Sequence, residues 1–189
     1  MNDLAELKKS LVQCHPFSEV QLAMFTDKVS VQKFLKKDFL VKKNQVCTSL
    51  SFILAGSFRL YAETELRELT LKFFTEGCWV SDIESLLVQK PSNVFIEASQ
   101  DSIVGSISLD DIHNLMDLHP CFSMLNSLLA NLSVSTEQMI ALTSMNPDDR
   151  YKDLLSKKPD WINRFPQMQI ASYLGITPET LSRVRARLV

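Results

Sequence analysis

Gln167-Met168-Gln169-Ile170-Ala171-Ser172-Tyr173-Leu174-Gly175-Ile176-Thr177-Pro178-Glu179-Thr180-Leu181-Ser182-Arg183-Val184-Arg185 reads as helix, tight turn, helix. Ile170, Leu174 and Ile176 supply the inward face of the first helix and the turn, and Leu181 and Val184 that of the second. Ala171 is small where the two helices cross, and Gly175 permits the left-handed turn conformation. Thr177 is a natural N-cap, Pro178 suits the first helical position, and Glu179 lies over the positive helix end. Local propensity, capping and apolar spacing therefore all specify one geometry.

That geometry exposes the start of the second helix, the part of a helix-turn-helix that enters a DNA major groove. The expected base readers are Glu179, Ser182 and Arg183: Arg183 can give two parallel hydrogen bonds to guanine, and Glu179 can accept one from cytosine. Arg185 and Arg187 suit phosphates, as do Thr177, Thr180 and Gln167 at the backbone. The competing reading is a helical hairpin used for protein contacts, as in a ligand-binding or scaffold protein.

Charge supports the first reading weakly. Residues 1–145 hold 12 Lys and Arg against 17 Asp and Glu, whereas 146–189 hold 8 against 5, which together give the overall −2. A basic C-terminal module thus follows an acidic one, with Asn146-Pro147-Asp148 as the expected hinge and the domains at 1–145 and 146–189.

Upstream, a helical repeat runs from about residue 120 to 143. Cys121, Leu125, Leu128, Leu132, Ser135, Met139 and Leu142 alternate steps of four and three, a heptad seam. It either packs on the chain's own core or joins two copies into a homodimer through Leu125, Leu128, Leu132, Met139 and Leu142.

The first two-thirds of the chain reads as β-rich. Leu4, Leu7 and Leu11 predict a helix, and Ser18 with Gln21 a capping box opening a second. From Val29 the period becomes two, and short apolar runs follow at Phe52-Ile53-Leu54, 58–61, 69–74, Val94-Phe95-Ile96 and Ile103-Val104. Strands at such intervals imply a rolled antiparallel sheet and not βαβ units. Asp110-Asp111 open a short helix that stops before Pro120.

Composition excludes several functions. With 46% hydrophobic and 22% charged residues the chain is an ordinary globular one. No run of 18 apolar residues occurs, and the acidic N-terminus is unlike a signal peptide, so no membrane partner and a cytoplasmic location are expected. The four glycines lie too far apart for a phosphate-cradling loop. Four scattered cysteines and three histidines offer no metal pair, and no catalytic constellation is legible, so neither an enzyme nor a cofactor is expected.

The chain resembles the Crp/Fnr superfamily of bacterial transcription factors, particularly the short forms found in Bacteroidetes. The resemblance rests on Asp149-Arg150-Tyr151-Lys152-Asp153-Leu154-Leu155, on Ile170 to Arg183, and on Phe52-Ile53-Leu54-Ala55-Gly56-Ser57-Phe58-Arg59-Leu60-Tyr61. It implies an α+β architecture: a cyclic-nucleotide-binding-like antiparallel β-roll with N-terminal helices, a long dimerisation helix, and a C-terminal all-α helix-turn-helix domain. Glu179 and Arg183 match the family's base-reading acid and arginine, while Pro178 stands where many members carry another Arg. The partners implied are double-stranded DNA, a second copy of the chain, an unidentified small-molecule effector and RNA polymerase.

The family's phosphate cassette, a Gly-Glu pair followed by Arg, is altered. Asp82 or Glu84 sits near the Glu position with no preceding Gly, and Ser92 or Asn93 occupies the Arg position. A buried phosphate without that Arg loses a charge-assisted contact worth about 1.5–3 kcal/mol. Two acids would add repulsion, so cyclic AMP is not an expected tight ligand. The sequence also ends a few residues past the second helix, so a full wing is not expected.

Overall fold

Leu7 and Leu11, 0% and 1% exposed, anchor the first helix, α1 (Ala5–Cys14). The capping box forms as expected at the start of α2 (Glu19–Thr26): Gln21 N donates to Ser18 Oγ at 3.3 Å, and Ser18 N to Gln21 Oε1 at 2.9 Å. The computed structural model describes residues 4–65, 67–131 and 145–188. The chain divides into two compact units, Met1–Leu60 with Phe73–Ser133, and Tyr61–Lys72 with Val134–Val189.

Eight strands build two four-stranded sheets. They are β1 (Ser30–Phe34), β2 (Phe39–Val41), β3 (Ser49–Ala55), β4 (Phe58–Glu63), β5 (Glu68–Phe74), β6 (Trp79–Val80), β7 (Phe95–Ala98) and β8 (Ser102–Ser108). One sheet runs β1-β8-β3-β6 and the other β2-β7-β4-β5. The pairings of β8 with β1 and β3, of β3 with β6 and of β2 with β7 are antiparallel. The expected antiparallel sheet is therefore present, with β2 and β6 as strands the apolar runs did not announce. Leu50, Phe52 and Ile53 of β3, Val104 and Ile107 of β8, Phe58 and Ile96 fill the core.

The period-two stretch from Val29 forms β1, which is exposed for most of its length. It is an edge strand paired only with β8, so its outer row of backbone groups has no ladder partner in the sheet. Between β3 and β4, Gly56 adopts φ +93°, and a Cβ there would lie 2.6 Å from Ser102 Cα, so only glycine fits the turn.

Helix α3 (Ile83–Val88) follows β6, and α4 (Leu109–Leu118) follows β8, its N-terminus capped by Ser108. The long helix expected from 120 begins differently. Pro120–Met124 is a 3₁₀ turn, and α5 (Leu125–Asn131) continues from it. Leu125 and Leu128 are buried within the chain itself at 1% and 9% exposure. Leu132, Ser135, Met139 and Leu142 of the seam lie outside the described residues.

In the second unit, the expected hinge Asn146-Pro147-Asp148 is the start of α6 (Pro147–Lys157). Asn146 Oδ1 accepts from Asp149 N at 2.9 Å as its N-cap. Next come α7 (Trp161–Arg164), α8 (Gln167–Tyr173) and α9 (Pro178–Leu188). Tyr151, Leu154, Phe165, Ile170, Ala171, Leu174, Ile176, Leu181 and Val184 form their core, all buried. Trp161 stacks edge-on against Phe165 and Tyr173 with centroids 6.1 and 5.6 Å apart. Among the described residues no helix is long and apolar enough to cross a membrane.

Candidate nucleic-acid interface

The turn between α8 and α9 forms as the sequence specifies. Gly175 has φ +67°, Ile176 N donates to Ala171 O at 3.0 Å, and Gly175 N to Ser172 O at 3.1 Å. Thr177 Oγ1 accepts from Thr180 N at 3.2 Å, which makes it the N-cap of α9. Leu181 and Val184 turn inward at 1% and 0% exposure, so the opposite face of α9 is presented outward by elimination. That face carries Glu179, Ser182, Arg183 and Arg187, all exposed, at the helical spacing of neighbours. Thr177 is exposed beside them, and Thr180 and Arg185 are half-buried.

The acid and the arginine of this face are electrostatically linked. The Glu179 carboxyl is held below the ordinary carboxylate range first by a hydrogen bond from its own backbone, then by the Thr177 hydroxyl, with the Arg183 guanidinium adding attraction. Glu179 is therefore an ionised acceptor at neutral pH, and Arg183 a permanent donor. A carboxylate and a guanidinium one turn apart can read cytosine and guanine edges respectively.

Arg187 was expected at a phosphate, but in the chain by itself its Nη2 lies 2.6 Å from Asp148 Oδ1. Both groups are solvated, with side-chain exposures of 61% and 33%, so the pair is worth little. Gln167 opens α8, where it lines a small crevice together with Arg185, Tyr151 and Ile170.

Two residues matter here that the motif alone did not single out. Arg150 Nε donates to Met145 O at 2.9 Å, and its Nη1 donates to Leu174 O, the C-cap carbonyl of α8. A guanidinium thus ties the first turn of α6 to the turn that aims α9. Its signal in the sequence was only its place in the Asp149–Leu155 segment. Asp148, the partner of Arg187, gave no signal, because their proximity across 39 residues is tertiary.

The altered cassette lies in the first unit. Asp82 caps α3 by accepting from Ser85 N at 3.2 Å. Ser92 is 2% exposed, with its Oγ donating to Val94 O at 2.9 Å and accepting from Val94 N at 3.1 Å. Asp82, Glu84, Lys90, Ser92 and Asn93 line a cavity of about 250 Å³ with no arginine among its lining residues. Structure thus brings the four cassette residues together, but the donor set does not fit a cyclic phosphate: two carboxylates face it, the buried serine is already engaged, and one exposed lysine is the only cation. Among the described residues, no group of His, Cys, Asp and Glu could hold a metal ion.

Residues 31–119 match the family model described as the cyclic nucleotide-binding domain. No curated protein matches the chain in sequence. Several solved structures share its fold. FixK2 from Bradyrhizobium japonicum is 16% identical with a TM-score of 0.71, over 85% of this chain and 84% of that one. The c-di-GMP-responsive global regulator CLP from Xanthomonas campestris is 18% identical with a TM-score of 0.69, over 90% and 91%. A Eubacterium rectale protein assigned to the Crp/Fnr family of transcriptional regulators is 19% identical with a TM-score of 0.66, over 91% and 85%. Residues 31–119 are thus similar to the cyclic nucleotide-binding domain, and the chain shares the fold of these solved structures.

Proposed function

We propose that this protein is a sequence-specific DNA-binding transcription regulator that works as a homodimer on a palindromic site. Residues 1–145 act as sensor and dimer module, and 146–189 as the DNA reader. The reading is carried by one observation: Glu179, Ser182 and Arg183 stand exposed on the outward face of a capped helix that follows a glycine turn. Thr177, Thr180, Arg185, Arg187 and Gln167 take the phosphate side of the contact. Two recognition helices about 34 Å apart would read the two half-sites of one duplex face.

The effector in this reading is not cyclic AMP. The cavity around Asp82, Glu84, Ser92 and Asn93 presents two carboxylates where a cyclic phosphate needs positive charge. Selection from random DNA duplexes by the purified, ligand-free protein tests the proposal. An enriched palindrome is the expected result. Binding without sequence preference and with a salt slope near zero would instead make the helix pair a protein-contact module.

A further inference from the structure

Lys33, Lys36, Lys37, Lys42 and Lys43 crowd the segment 33–43 against a single acid, Asp38, in a region of the chain that is otherwise acidic. The turn that carries them is fastened at every step. Asp38 N donates to Leu35 O at 2.9 Å, Leu35 N to Asp38 Oδ2 at 2.7 Å, Lys37 N to Ala98 O at 2.8 Å, and Lys36 N to Asp101 Oδ1 at 2.9 Å. Both neighbouring carboxylates thereby spend an oxygen on backbone amides. Lys33, Lys36 and Lys37 have no ion-pair partner among the described residues, and all three are exposed.

Two further features separate this turn from a merely solvated one. Lys37 holds φ +75°, a left-handed position where glycine or asparagine costs less. Leu35 is 68% exposed, an apolar side chain immediately before Lys36 and Lys37 in the turn. Beside it a groove of about 450 Å³ is lined by Lys33, Phe34, Lys37, Asp38, Phe39 and Lys42. Lys42 Nζ lies 5.1 Å from the centre of the Phe39 ring. The groove adjoins β1, whose outer edge is unpaired in its sheet.

We infer that this face docks an acidic segment of another protein, its carboxylates meeting Lys33, Lys36, Lys37 and Lys42 and one of its apolar side chains covering Leu35. Exposed Leu35 and half-buried Phe34 and Phe39 lie among the charged residues of this face, a mixture of apolar anchor and charged surround that suits a protein partner. A phosphate backbone has no use for Leu35 or Phe39, and a second copy of the same edge would set lysine against lysine. The inference concerns the first unit only and stands apart from the reading of the α9 face.

The test is amide chemical-shift mapping of the full-length protein with a synthetic peptide of glutamates interspersed with leucine, and in parallel with a duplex of random sequence. Saturable shifts confined to the Val31–Lys43 region with the peptide are expected. Lys36→Glu with Lys37→Glu should weaken that binding at least about tenfold, and Leu35→Ser should weaken it while leaving the ionic-strength dependence unchanged. Should the charge-reversed turn fail to fold, Lys33→Glu with Lys42→Glu applies the same test from the flanking strands. Peptide shifts absent from this region overturn the inference, as does a duplex that perturbs it while the peptide does not. Glu179→Ala with Arg183→Ala must leave peptide binding intact, so loss of DNA selection does not decide this result.

Discussion

Ser172 Oγ accepts a hydrogen bond from Thr70 N at 2.9 Å and donates one to Glu68 O, also at 2.9 Å. A helix hydroxyl thus serves as the ladder partner of β5, the edge strand of its sheet. Both partners lie in the unit that comprises Tyr61–Lys72 and Val134–Val189. Ser172→Ala removes both bonds and leaves a partly buried amide without its acceptor, at a cost of about 1–3 kcal/mol. The Thr70 amide should therefore exchange with solvent about ten- to hundredfold faster in the variant, by the usual conversion of about 1.4 kcal/mol per decade. Unchanged exchange would show that the hairpin end is held by other contacts.

In the proposed complex Asp148 competes with a phosphate for Arg187, whose Nη2 it holds at 2.6 Å. Asp148→Asn removes the competitor without altering the DNA contacts, so duplex affinity should rise by the worth of an exposed pair, about 0.2–1 kcal/mol or up to about fivefold. Its salt slope should equal that of the wild type. Arg187→Ala should instead reduce the slope by about one, the signature of a lost phosphate contact. Filter binding or anisotropy across a salt series separates the two. Equal slopes for all three proteins would exclude Arg187 from the interface.

Arg183→Ala should behave differently from both. A bidentate guanine contact is worth about 1–3 kcal/mol of discrimination, so selection at one base position should relax while nonspecific affinity changes little. Sequencing of selected duplexes gives the answer directly.

The depressed Glu179 pKa fixes a pH window. A carboxyl that titrates lower in the folded chain than in the unfolded one stabilises the fold above its ordinary value and loses that contribution as the pH falls through the folded value. Base reading by Glu179 should likewise persist into the acid range in which a free glutamate is already protonated. Thr177→Val removes the hydroxyl that helps hold it down, and the Glu179 midpoint should move upward in a carbon-detected carboxyl titration, while Thr177→Ser should keep it low. A midpoint identical in wild type and Thr177→Val would leave the backbone hydrogen bond and the Arg183 guanidinium as its causes.

Titration with cyclic AMP should show no tight binding at the cavity lined by Asp82, Glu84, Ser92 and Asn93. Calorimetry on the full chain decides it: micromolar or better affinity would mean that Lys90 or another cation reaches the phosphate. Replacing Asn93 with Arg restores a cation at the matching position and should raise the affinity.

Much of this molecule was legible in the sequence because its signals are local. The Ser18–Gln21 box, the Thr177 cap and the Gly175 turn depend on residues a few positions apart, and short apolar runs place β3, β4, β5, β7 and β8. The outward face of α9 followed from the same spacing, because once Leu181 and Val184 are inside, Glu179, Ser182 and Arg183 have only the outside left. Tertiary structure alone decided the rest. That β1 is a bare edge, that Ser92 is buried and spent on Val94, that Arg150 holds the Leu174 carbonyl and that Arg187 rests on Asp148 all depend on where distant segments meet. Hydrogen-bond and charge partners of that kind leave no periodic trace in a sequence, because the chain between them can have almost any length and still bring them together.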